Sequence, residues 1–136
     1  MLKNILSILL VIGLITGCRK DFEYARGPIA NSIVGKWAFT EYFMSPGDAG
    51  NWYKAKPRGR VIHFKADGSF SATREGFKQF TKYELLNTGK IRLSAADSGN
   101  TMLLVFSIDT NNAWLFTYPG ESICIEGCSD KYRLVK

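Results

Sequence analysis

Histidine is almost absent from this chain. Its 136 residues hold one, His63, and only three cysteines. A metal centre built on imidazole and thiolate needs several such ligands converging, so no metal site is expected. His63 alternates with Ile62 and Phe64 in an apolar stretch and is expected to point away from the core. Nucleophile elbows of the Gly-x-Ser-x-Gly kind, phosphate-binding loops and His-Glu-x-x-His are all missing. The acids Asp67, Asp97, Asp109 and Asp130 stand singly among turn residues. They do not form the carboxylate pair that glycoside hydrolysis requires. No catalytic residue is assigned, and neither an enzyme activity nor a cofactor is expected. Helical periodicity is also lacking: no useful length of chain repeats its apolar residues at 3.6. Beyond the first 17 residues no apolar run approaches the roughly 20 needed to span a bilayer as a helix.

The amino terminus is the exception to this polarity. Lys3 is followed by a nearly unbroken apolar run over residues 5–15, then by the small residues Thr16 and Gly17 and by Cys18. This is the three-part layout of an export signal, too short to be a membrane span. It divides the chain into a signal peptide (1–17), a tether (18–32) and a folded domain (33–136). Ile15-Thr16-Gly17-Cys18 resembles the lipobox of bacterial lipoproteins. The resemblance implies cleavage before Cys18 and acylation at that residue. The other reading is an ordinary secretory signal that leaves Cys18 a free thiol. Acyl chains contribute roughly 0.8 kcal/mol per buried methylene. The lipoprotein reading therefore moors an otherwise soluble domain in the cell envelope, on the outer membrane, facing the periplasm or the cell surface. Arg19-Lys20-Asp21-Phe22-Glu23 partly resembles the surface-export signal of Bacteroidetes-type lipoproteins. It also reads as a solvated tether.

Loss of Lys3 with the leader lowers the net charge from +6 to +5. The cations are spread along the chain, so nucleic acid is not expected as a partner. Anionic headgroups or anionic glycans fit an envelope protein better. With Cys18 acylated, Cys124 and Cys128 remain as an even pair in an oxidising compartment, and a disulfide across this small turn is expected.

From Ser32 onward the chain becomes short alternating runs between turn residues. Trp37, Phe39 and Phe43 lie on one face of a first strand. A polar stretch, 45–59, reads as a long loop. Ile62/Phe64 and Phe70/Ala72 flank an Asp67-Gly68 hairpin turn. Residues 77–86 read as a strand, with Tyr83 and Leu85 on one face. Ile91/Leu93, the row Met102, Leu104, Phe106, Ile108, and then Trp114, Phe116, Tyr118 follow, and a last strand covers 131–135. The expectation is all-β: eight antiparallel strands in an up-and-down barrel, whose closure removes exposed edges.

Gly35-Lys36-Trp37 at the first strand, the long first loop, the Phe-x-x-Asp-Gly-x-Phe pattern at 64–70 and a closing strand with Arg133 are similar to the lipocalin-like domains of bacterial lipoproteins. The resemblance implies that Gly35, Trp37 and Arg133 are structural residues of a closed barrel end, which Trp37 plugs and Arg133 covers. It also implies a monomer that takes a small hydrophobic or amphipathic ligand at the open end. The first loop would lie there as a lid, with Trp52, Tyr53, Lys54 and Arg58 as contact candidates; its aromatics could equally tuck into the rim as a plug. Phe106 and Trp114 are the interior candidates. An interior so rich in aromatics could instead be filled, which would make the domain a non-enzymatic interaction module of the envelope.

Overall fold

The computed structural model describes residues 21–136 apart from Pro46, Asp48, Thr88 and 121–127. The described residues form no helix. They make nine strands: β1 (Gly35–Met44), β2 (Asn51–Lys54), β3 (Val61–Phe64), β4 (Phe70–Ala72), β5 (Lys82–Asn87), β6 (Lys90–Ser94), β7 (Thr101–Asp109), β8 (Trp114–Pro119) and β9 (Ser129–Leu134). Eight of them run β4-β3-β1-β9-β8-β7-β6-β5 in one antiparallel sheet. β5 returns to the β3–β4 hairpin through the bridge between Ser69 and Lys82 and through Phe70 N–H to Thr81 O at 2.8 Å. The result is a nearly closed eight-stranded antiparallel barrel, as the alternation predicts.

β2 is a departure from expectation. Four residues of the predicted first loop, Asn51–Lys54, form a strand that pairs with the far half of β1, Phe43 opposite Trp52 and Met44 opposite Asn51. β3 pairs with the near half, Trp37 opposite Ile62. The segment between them bulges out and rejoins the edge through Ala55 N–H to Thr40 O and Phe39 N–H to Arg60 O. The proline and glycine punctuation that reads as one loop thus marks a hairpin turn and a bulge on a single interrupted strand. A second departure lies at 77–86. The chain turns through 73–81, burying Phe77 and Phe80, and the strand begins only at Lys82. Leu85, expected on one face with Tyr83, is 54 % exposed, whereas Tyr83 packs against the core.

One barrel end is sealed. Trp37 is fully buried, and its Nε1–H donates to Ile33 O at 2.8 Å. Ile33 lies in the core, and Ile29, tied by its N–H to Thr110 O at the β7–β8 turn, packs against it. The predicted tether is therefore partly fold: Tyr24 bridges Val135, and Ala25 N–H reaches Leu134 O. Gly35 has φ of +148°, and a β-carbon there would stand 2.8 Å from Leu134 Cδ1. Gly35→Ala is expected to cost ~1–3 kcal/mol of stability through backbone strain and this clash, read as a fall in melting temperature; an unchanged melting curve would contradict the assignment.

Inside, Phe64 packs on Phe70 and Tyr83 at ring separations of 5.0 Å, and Ile62, Ile91, Leu93, Leu115 and Tyr132 are fully buried. The β7 row faces inward as predicted: Leu104 is buried, and Met102, Phe106 and Ile108 pack against the core. On β8 the expected faces are reversed. Leu115 and Thr117 point in, and Trp114, Phe116 and Tyr118 lie on the outside. His63 is only half-buried between the fully buried Ile62 and Phe64, so it sits on the outer face. Burial and the cations Lys65 and Lys36 hold its pKa below the usual histidine range.

Candidate functional site

Among the described residues, the end opposite Trp37 is where the strands leave room. β9 enters here, and Asp130, its first inward residue, pairs in register with Thr117 on β8 and with Tyr42 on β1. Arg74 comes from the turn after β4. Its position is set next door, where Thr73 N–H donates to Val61 O and Val61 N–H donates to Thr73 Oγ1, both at 2.9 Å. The Arg74 guanidinium lies 4.0 Å from the Phe39 ring centroid and 4.8 Å from that of Phe77. Its Nη1 donates to Asp130 Oδ2 at 2.7 Å and also to the Tyr132 hydroxyl. The pair is largely shielded, with side chains 16 % and 24 % exposed for Arg74 and Asp130. A second cation, Arg60, stacks on Phe39 at 5.1 Å.

Burial raises the Asp130 pKa, and the Arg74 charge and hydrogen bond restrain that rise. Burial also drives the Tyr132 hydroxyl far above the ordinary tyrosine range, so it stays protonated and neutral at any physiological pH. Beside this network is a cavity of about 360 Å³. Arg74, Phe77, Met102, Leu104, Thr117 and Asp130 contribute to its wall. A mostly apolar hollow with one part-buried ion pair is suited to hold a small amphipathic molecule, with the polar network fixing its orientation.

No protein-family model, curated protein or solved structure matches this chain. Function is therefore read from the residues that the fold brings together.

The predicted ligand residues do not meet in one place. Phe106 lies inside on β7. Tyr53 stands at the rim, stacked on Tyr42 at 5.6 Å. Trp114 does not line the interior. It belongs to an outer aromatic row with Phe116, Trp52 and Phe43, linked ring to ring at 5.4–6.2 Å; the bulge between Phe39 and Glu41 turns Phe43 off the face it is expected to share with Trp37 and Phe39. Lys54, Arg58, Trp114 and Arg133 all line an outer groove of about 660 Å³ under residues 21–24. Arg133 does not cover Trp37. Its neighbour Tyr132 is buried and Leu134 packs against the core, so alternation turns Arg133 outward, where its guanidinium lies 4.5 Å from the Tyr24 ring centroid. The arginines against the interior aromatics are Arg60, over Phe39, and Arg74, over Phe39, Phe77 and Tyr132; Arg74 sits in a turn where no periodic signal marks it.

Cys18 and Cys124 lie outside the described residues. Cys128 is disulfide-bonded, and its expected pairing with Cys124 rests on the sequence.

Proposed function

We propose that this chain is a lipid-anchored envelope protein of the lipocalin-like kind, moored through Cys18, that binds a small hydrophobic or amphipathic molecule at the open barrel end without catalysis. The observation that carries this reading is the cavity beside Arg74 and Asp130. Its volume of about 360 Å³ lies at the lower end of the roughly 300–1,000 Å³ typical of ligand sites. Below it the barrel is packed solid by Trp37, Phe64, Ile62, Leu115 and Tyr132. The ligand is therefore a small one held at the mouth, not one threaded through the barrel.

The same solid packing favours a second reading, in which the mouth is too shallow to retain a ligand and the domain acts as an interaction module. Met102→Trp separates the two. Met102 packs against the core and lines the cavity, so an indole there fills the space. The protein is titrated with fatty acids and with a hydrophobic reporter dye. Saturable binding that weakens at least about tenfold in Met102→Trp, the effect of closing a snug apolar pocket, supports the ligand site. Absence of saturable binding by the parent chain favours the interaction module.

A further inference from the structure

The outer face of β2, β1, β9 and β8 is not the polar surface expected on the solvent side of a barrel strand. Trp52 is 43 % exposed and Tyr118 36 % exposed, and Phe43, Trp114 and Phe116 are partly open. Lys131 stands among them, 3.5 Å from the Trp114 ring centroid and 5.8 Å from that of Trp52, and pairs with Glu41 at 2.8 Å.

Next to this aromatic row is the groove that holds Lys54, Arg58 and Arg133. Arg133 Nε is buried and has no hydrogen-bond partner among the described residues. Trp and Tyr settle at the headgroup level of a bilayer, and basic side chains are drawn to anionic lipid. The position of the chain's leading end adds a geometric argument. Asp21 and Phe22 line this same groove, and Cys18 is three residues upstream, within about 10 Å of fully extended chain.

We propose that the Trp52–Trp114 face lies flat on the membrane, with anionic lipid headgroups seated against Lys54, Arg58 and Arg133. This rests on acylation at Cys18, which would deliver that face to the bilayer. Docking would leave the open mouth accessible from the aqueous side, since the aromatic row is on the barrel wall and the cavity at its end.

The test uses the mature protein inserted through its own lipid into vesicles of mixed phosphatidylglycerol and phosphatidylcholine, with lipids brominated near the headgroup. Trp37 is fully buried and supplies an unquenched baseline. Most of the Trp52 and Trp114 emission should be quenched, and a Trp52→Phe/Trp114→Phe chain should show only the baseline. Lys54→Gln/Arg58→Gln should reduce the ratio of docked to undocked protein by about tenfold or more, as loss of two basic contacts near an anionic surface requires. Circular dichroism of that variant should match the parent, which separates docking from folding.

A chain that floats with the vesicles but shows no quenching refutes the docking alone. Equal quenching in vesicles of phosphatidylcholine only also refutes it, because anionic headgroups are then not what is recognised. A chain that neither floats nor carries acyl mass refutes the anchor, and the docking falls with it.

Discussion

Arg74→Leu is expected to lower the melting temperature by about 10 °C near neutral pH, from a loss of ~2–3 kcal/mol. The substitution does two things. It removes the guanidinium held over Phe39 and Phe77, and it leaves the Asp130 carboxylate shielded from water without its partner. Removing one member of a fully buried pair costs roughly 3–5 kcal/mol; the residual exposure of this pair reduces that figure.

The deficit should depend on pH. The folded-state pKa of Asp130 lies above its ordinary value, with burial the first cause and Arg74 opposing it. The folded state therefore favours the protonated acid, and stability from this group falls as pH rises from the ordinary aspartate range through the folded value. Without Arg74 the folded value climbs further and that window extends toward neutrality. The gap between Arg74→Leu and the parent should accordingly narrow as pH falls toward the ordinary aspartate range. Adding Asp130→Asn should recover part of the loss at neutral pH. A gap that is constant across pH, with no gain from Asp130→Asn, would mean that the pair is not a coupled, water-shielded unit.

Trp37→Ala is expected to do more damage, ~3–5 kcal/mol, enough to lower the melting temperature by about 15 °C or to unfold the domain outright. The indole is completely enclosed, and its N–H is the donor for Ile33 O. Trp37→Phe keeps most of the burial but orphans that carbonyl, for a loss of ~1–3 kcal/mol. The contrast with Trp114→Ala is informative. Trp114 is on the outer wall, where a cross-strand contact contributes roughly 0.2–1 kcal/mol. Thermal melts of the three variants should therefore rank Trp37→Ala lowest and Trp114→Ala nearest the parent. Equal losses for Trp37→Ala and Trp114→Ala would place both indoles inside.

That contrast also shows where the sequence is legible and where it is not. The β7 row is plain, because Met102, Leu104, Phe106 and Ile108 alternate with smaller or more polar residues over much of the strand. β8 is not. Both of its rows are apolar enough to be buried, so local alternation cannot say which faces in, and size favours the wrong one. The decision comes from distant pairing: Leu115 lies opposite Tyr132 and Ile108, and both partners face inward. Arg133 followed from the same parity. Once Tyr132 is inside, Arg133 is outside.

Residues 22–29 carry no periodicity, yet they are held by the bridge of Tyr24 to Val135 and the bond of Ile29 to Thr110 O. Single contacts of this kind leave no repeat in a sequence. Arg74 is not legible in the sequence for a related reason. Its role comes from three elements meeting, β1 with Phe39, β9 with Asp130 and Tyr132, and the turn that holds Phe77. In the chain it is one cation among eighteen.

Native mass spectrometry of the protein released from its own membrane tests the account most directly, because anchor and ligand are read in one spectrum. The expected species is the chain beginning at Cys18, carrying acyl mass, with a small molecule retained until collisional activation strips it. A species that begins elsewhere or bears no acyl mass would contradict the anchor. An acylated chain that never carries a small molecule would contradict the ligand site at the mouth.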